Sequence, residues 1–355
     1  MNPKQSVRLS APAAVALSSL LILPLVFTVA FRGATRDTLL YREIFAATVR
    51  FPSDPVAYYA EHGVEWGYGV LSWLLNAFDA GPTLLFGLIS ATTFVFLALT
   101  ARTLHLSVLD VLPYYLGTFF LTQQFMQIRQ GLAIAVAFFF IARLVRSRHR
   151  ALVGIVGMAC ASLGHLVAPL PLLVSTVVSG LVTRLRTRTL MLGVLVATLL
   201  TIGVCRQVAG LEALMSFEKL SQYAADQEFG SARSVFEPAN VRAGLLLTLF
   251  YVSYPWMAKT ALGRAYALLL VLYAVHFGIR IGFLEVQILS GRLSTAFGFS
   301  EVFLLALLMR SLVTSAVLRA LCALVYLAVH VVLTLSVQVP YLLNDYFVPL
   351  HGLTA

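Results

Sequence analysis

The sequence predicts an all-α, polytopic integral membrane protein of about eleven transmembrane helices, with a short re-entrant or interfacial helix near 66–79. Composition is the first ground for this. Of the 355 residues, 60% are hydrophobic and 11% charged, where a soluble domain has about 45–50% apolar and about 25% charged residues. The second ground is spacing. Apolar runs of roughly bilayer-spanning length alternate with short loops dense in Arg and Lys, and such loops stay in the cytosol. A formal charge of +10 suggests nucleic acid, but the basic residues fall mainly on one side of the implied topology, so no nucleic-acid partner is expected. Cys160, Cys205 and Cys322 all lie within apolar runs. An odd, scattered set gives neither a disulfide framework nor metal spacing, and all three read as helix filler.

Taken in order, residues 1–10 are polar and carry Lys4 and Arg8, and an apolar run from Ala11 to Phe31 follows. A secretory signal has an apolar region of only about 7–15 residues, so this run reads as an uncleaved first helix with a cytosolic N-terminus. The polar stretch 32–66 is expected to be extracytoplasmic. Glu65-Trp66-Gly67-Tyr68 then opens an apolar segment ending near Asp79, too short to span and expected to dip in and return. If it crossed, the Arg143–Arg150 cluster would fall outside, against the positive-inside bias. Spans are expected at 82–101, 106–122, 126–143, 151–165, 167–183, 189–206, 241–259, 262–279, 293–309 and 314–339. Gly164-His165 and Pro169-Leu170-Pro171 break one long apolar stretch into a hairpin. The loop 207–240 is expected to be either a partly helical lid or a linker. One transmembrane domain, 1–355, holds the whole chain.

Depth singles out candidate residues. Arg129 lies 14 residues before Arg143, which puts it roughly 21 Å above the cytosolic boundary of a core about 30 Å thick. An ionisable residue there marks a functional site by default, the bland alternative being an arginine snorkelling to the interface. The same rise puts His165 roughly 22 Å above Arg150, Arg280 roughly 24 Å above Arg264 and Arg292 roughly 27 Å above Arg310. The outer segments add Arg36, Asp37 and Glu65. Arginines suit diphosphate oxygens, and a histidine could take a proton from a hydroxyl nucleophile. Together these are parts for glycosyl transfer from a lipid-diphosphate donor. No Asp-x-Asp cluster appears, so the sequence calls for no metal and no cofactor.

Plain structural readings stand beside these. His165 could cap a turn, Arg280 and Arg292 could be interfacial anchors, and Glu65 could favour a helix dipole. Glu301 is deep and expected to be paired or to lie next to the catalytic residues. His276 and His330 read as hydrogen-bonded core histidines, and Gly154, Gly157 and Gly164 as a close-packing face. No Walker loop, dinucleotide fingerprint, Gly-x-Ser-x-Gly or His-Glu-x-x-His appears.

Four stretches in order, Asp37-Thr38-Leu39-Leu40-Tyr41, Glu65-Trp66-Gly67-Tyr68, Ile128-Arg129-Gln130-Gly131 and Ser162-Leu163-Gly164-His165, resemble the EpsG-like exopolysaccharide polymerases, relatives of Wzy-type O-antigen polymerases. The resemblance implies a glycosyltransferase, inverting and metal-independent, that polymerises undecaprenyl-diphosphate-linked repeat units at the periplasmic face of the bacterial inner membrane. Arg129 and Arg292 would hold diphosphate, His165 would be the candidate base, and Asp37 and Glu65 would orient arginines or hydroxyls. Arg36, Tyr41, Tyr68, Gln130 and Arg280 complete the implied diphosphate- and sugar-binding set. Implied partners are the lipid-linked donor and acceptor, the bilayer and a chain-length regulator. A lipid-linked oligosaccharide flippase and an O-antigen ligase remain open. A membrane acyltransferase, with His105 and Asp110, is a further rival.

Overall fold

The structure, a computed structural model, describes residues 11–210 and 234–348, which fold as helices with no strand among them. The expected lid or linker falls mostly on residues 211–233, outside the described residues. Thr187–Ala209 runs up to it and Pro238–Met257 leaves it.

The predicted spans all fall on helices, but many are too short to cross. By length and composition, five helices can: Pro82–Thr103, Thr187–Ala209, Gly263–Gly282, Gln287–Leu312 and Ala316–Gln338. Arg150–Ser162 has 13 residues and Pro169–Val182 has 14, about 20 and 21 Å against a core of about 30 Å. Ile128–Leu144 reaches 17 residues, about 26 Å by the same rise. The expectation of about eleven crossings is therefore not supported. The reason is physical: a break at Met126-Gln127 interrupts the helix before Arg129, and the helix between His149 and the Gly164-His165 turn has room for only 13 residues.

The segment 32–66 is itself helical. Arg36–Ala47 passes through a 3₁₀ turn, Thr48–Arg50, and leads to Pro55–His62. Asp54 caps that last helix by accepting from the Ala57 amide at 2.8 Å, and Gly63, at φ 61°, closes it in the left-handed conformation. Trp66–Ala77 has 12 residues, about 18 Å, and cannot cross. Its Asn76 ties it to the Phe45 carbonyl at 2.7 Å and to the Thr48 hydroxyl at 2.9 Å.

Gly263–Gly282 forms the centre of the bundle: 83% of its apolar stretch is buried, against 11% for the peripheral Ala316–Gln338. Gly278 and Gly282, one turn apart, let it lie against Thr187–Ala209. A Cβ on Gly278 would stand 2.7 Å from that of Thr201, and one on Gly282 would collide with Cys205. The long helix Gln287–Leu312 is interrupted at Phe299, next to Gly298, where a side chain would strike the His276 ring. His276 is a core histidine, its Nδ1 2.8 Å from the Ser294 carbonyl. Gly154 and Gly157 pack on Thr176 and on Leu172 and Phe140, as a close-packing face should.

At one end of the bundle the loops rich in arginine meet. Arg146 bonds the His105 ring, and Arg310 reaches both the His105 carbonyl and, at 3.5 Å, the Asp110 carboxylate. Deeper in, Arg242 pairs with Glu301, whose side chain is 2% exposed. Hydroxyls surround this carboxylate, from Tyr326 at 2.6 Å, Tyr273 at 3.2 Å and Thr118 at 3.3 Å. Arg242 Nε donates to His330 Nε2 at 2.8 Å, so the ring proton sits on Nδ1, 2.9 Å from the Tyr326 carbonyl. Glu301 is thus paired, as expected of so deep an acid, and five helices meet on it. Glu301→Ala should cost about 3–5 kcal/mol by stranding Arg242, read as a lower thermal midpoint in detergent. The double variant Arg242→Met/Glu301→Leu should recover most of that loss.

Candidate functional site

The site begins at a break in the chain. Leu121–Phe125 ends and Ile128–Leu144 begins across Met126 and Gln127, which puts Arg129 in the first turn of the second helix. The carbonyls freed by the break need donors. Arg32 supplies them, Nη1 donating to Gln124 at 2.8 Å and Phe125 at 3.2 Å while its guanidinium stacks 3.8 Å over Phe86. Arg32 is buried, so it fixes the break instead of meeting a ligand.

Arg129 turns back toward the 32–66 segment. It forms an ion pair with Glu65, donates from Nε to the Tyr41 hydroxyl at 3.2 Å, and reaches the Gly63 carbonyl at 3.4 Å. The rings of Tyr41 and Tyr68 face the guanidinium at 5.4 and 5.8 Å, within the range of cation–π attraction. Both tyrosines are buried, and Tyr68 donates to the Tyr41 carbonyl at 3.3 Å. They cradle Arg129 and present no open face. Arg129 itself keeps 17% of its side chain exposed and Glu65 10%, enough for a polar ligand to reach them from one side.

Glu65 precedes the first turn of Trp66–Ala77 yet makes no capping bond to it. One carboxylate oxygen is on Arg129, and the other accepts from the Leu166 amide at 3.4 Å. The carboxylate is thus turned to Arg129 and the Leu163–Leu166 turn and not to the start of its own helix. Gly67 makes it reachable: its amide donates to the Leu163 carbonyl at 3.0 Å, and a Cβ there would collide with that carbonyl. Gly164 does the same on the opposite side, where a Cβ would stand 3.0 Å from that of Ala133.

His165 sits in the turn after Arg150–Ser162, within electrostatic reach of Glu65, Arg129 and Arg292. Its Nδ1 accepts from the Val167 amide at 3.2 Å. A neutral ring so held carries its proton on Nε2 and offers a donor there. Gln130, buried, donates to the Arg292 carbonyl at 2.8 Å and so ties Ile128–Leu144 to Gln287–Gly298. Other candidates lie elsewhere. Arg280 Nε donates to Asn240 at 3.0 Å, at the foot of the second connecting segment. Arg36 and Asp37 open the Arg36–Ala47 helix, and Asp37 is within electrostatic reach of Arg32. Asp110 accepts from the Ser107 amide at 2.9 Å in a capping box, so neither it nor His105 forms a buried catalytic pair. Among the described residues, no three of His, Cys, Asp and Glu gather where a metal could bind.

Sequence reasoning missed Arg32 and Gly67 as parts of this site. An arginine directly after an apolar run was the available signal for the first; a glycine in the first turn of a short helix was the signal for the second. Gly67→Ala should destabilise the protein by about 1–3 kcal/mol through overpacking. Gly81→Ala, where a Cβ meets nothing within 4 Å, should be nearly neutral. Thermal unfolding of the two purified variants measures the contrast.

No curated protein and no solved structure matches the chain. The profile of the EpsG family matches residues 15–350, nearly the whole chain and all four stretches that meet around Arg129. That family is one of Wzy-like polysaccharide polymerases. On this match and on its apolar helices, the protein is a multi-pass membrane protein that belongs to the EpsG family.

Proposed function

We propose that this protein is a membrane glycosyltransferase that polymerises oligosaccharide repeat units carried on undecaprenyl diphosphate, at the periplasmic face of the inner membrane. The observation that carries this is the meeting of four stretches, distant in sequence, around one partly exposed ion pair. Tyr41 bonds Arg129, Glu65 pairs with it, and the Leu163–Leu166 turn bonds both Glu65 and Gly67.

The chemistry follows from the charges. An acceptor sugar hydroxyl attacks the anomeric carbon of the donor glycan from the face opposite the diphosphate. The C–O bond to the diphosphate breaks, its electron pair leaves with the phosphate oxygen, and the anomeric centre inverts. Arg129 and Arg292 stabilise the negative charge that develops there, and a partly desolvated arginine does so more strongly than one in water. The acceptor proton goes to Glu65. In the resting site Arg129 holds this carboxylate, so a diphosphate that takes over Arg129 releases it at the point where a base is needed. His165, its Nδ1 occupied, donates from Nε2 to a phosphate or sugar oxygen. The arginines alone supply the charge stabilisation in this scheme, and no metal is invoked. A chain-length regulator is the expected protein partner.

Complementation of a deletion strain, read as a glycan ladder at matched expression, tests these roles. Arg129→Ala and Glu65→Gln should abolish the ladder and leave single repeats, since proton transfer alone is worth about 10²–10⁴ in rate. His165→Gln keeps a donor and should keep a ladder, while His165→Ala should weaken it. A normal ladder from Arg129→Ala would overturn the site. Loss with His165→Gln as complete as with Glu65→Gln would return the base to His165. Absence of all surface glycan in the deletion strain would point to a flippase or a ligase instead.

A further inference from the structure

Beside the ion pair lies a groove of about 420 Å³, lined by Val56 and Tyr59 of the Pro55–His62 helix and by Trp66, Leu163 and Leu166. Its side is open: Val56 is 67% exposed and Leu166 59%. Exposed leucines are ordinary on a bilayer-facing surface, where lipid tails are as apolar as they are. Two features set this surface apart. It is concave, and it ends on a charge. The Ser162 hydroxyl at its edge is turned inward, donating to the Met158 carbonyl at 2.8 Å. Glu65 is the one charged residue lining the groove, and its carboxylate is the partner of Arg129.

We infer that this groove holds the first isoprene units of the donor's polyprenyl chain, so that the donor reaches Arg129 sideways from the bilayer. The inference rests on the glycosyltransferase reading of the same site and adds the place where the lipid lies. Continuity is what selects the occupant. A ligand here must set an apolar chain directly against a group that can compete with Glu65 for a guanidinium. A polyprenyl diphosphate does this, because its chain is bonded to the diphosphate itself. A glycerophospholipid such as phosphatidylglycerol places a glycerol backbone between chain and phosphate, and its phosphodiester carries a single negative charge. Glu65 then has two faces. It closes the inner end of the groove, and it holds Arg129 until a diphosphate arrives along that groove.

Photolabelling of the full-length protein in nanodiscs tests this directly, with a polyprenyl diphosphate bearing a diazirine on its first isoprene unit as probe. Label should fall on Val56, Tyr59, Leu163 or Leu166 and be displaced by unlabelled polyprenyl diphosphate, but not by phosphatidylglycerol at the same concentration. Leu163→Trp and Val56→Trp, two groove-filling substitutions, should each cut labelling at least fivefold while eluting as the wild type does on size exclusion. Label confined to other helices, or displaced equally by phosphatidylglycerol, would overturn the groove whatever the glycan ladder shows. Labelling in the groove of a protein whose deletion leaves the ladder intact would keep the groove and remove the polymerase reading.

Discussion

A guanidinium carried into the apolar end of a helical bundle must be either hydrated or neutralised, because an unpaired buried charge costs several kcal/mol. Arg129 is neutralised by Glu65, and most of the surrounding geometry serves that pair. Leu121–Phe125 and Ile128–Leu144 are broken so that Arg129 lies in a first turn, and Arg32 bonds the carbonyls left open by the break. Gly67 and Gly164 give up side chains so that the Leu163–Leu166 turn can approach. Tyr41 and Tyr68 wall the cation on its buried side. The pair is thus rigid on three sides and open on the fourth.

The second buried pair, Arg242 with Glu301, shows what a closed version looks like. Three hydroxyls and the His330 ring complete its hydrogen bonds, and the carboxylate is 2% exposed. Such a fully satisfied network holds helices together and has no capacity left for a ligand. The Arg129 pair has fewer partners, and its carboxylate is more exposed, 10% against 2%, although Arg242 is the more exposed of the two arginines, 29% against 17%. The number of partners on each carboxylate, in one bundle, is the physical ground on which we propose the Arg129 pair and not the Arg242 pair as the ligand site.

Much of this was legible in the sequence, for reasons that also mark where legibility stops. Apolar runs located the helices, but the number of crossings depends on where polar residues and turns bound each helix, as Gln127 does before Ile128–Leu144 and His149 and the Gly164-His165 turn do around Arg150–Ser162. Counting residues from the basic loops put Arg129, His165 and Arg292 at one height, and electrostatic reach does link them. Height carries no information about direction around the bundle, which is why Arg280, at similar height, is directed to Asn240. Tyr41, Tyr68 and Gln130 stood out as members of short stretches and were expected to bind diphosphate or sugar. All three are buried, the two tyrosines against Arg129 and Gln130 on the Arg292 carbonyl, which supports a positioning role. Glu65 was open between a helix charge and a site residue, and only the structure shows its carboxylate turned to Arg129 and the Leu166 amide.

The central claim is that Glu65 and the donor diphosphate compete for Arg129. Its most direct measurement is the affinity of purified Glu65→Gln for a polyprenyl diphosphate, set against the same variant's turnover. Removing the competitor should tighten binding roughly fivefold or more, while loss of the base should slow turnover by about 10²-fold or more. Binding weakened by the substitution, or turnover left unchanged, would contradict it.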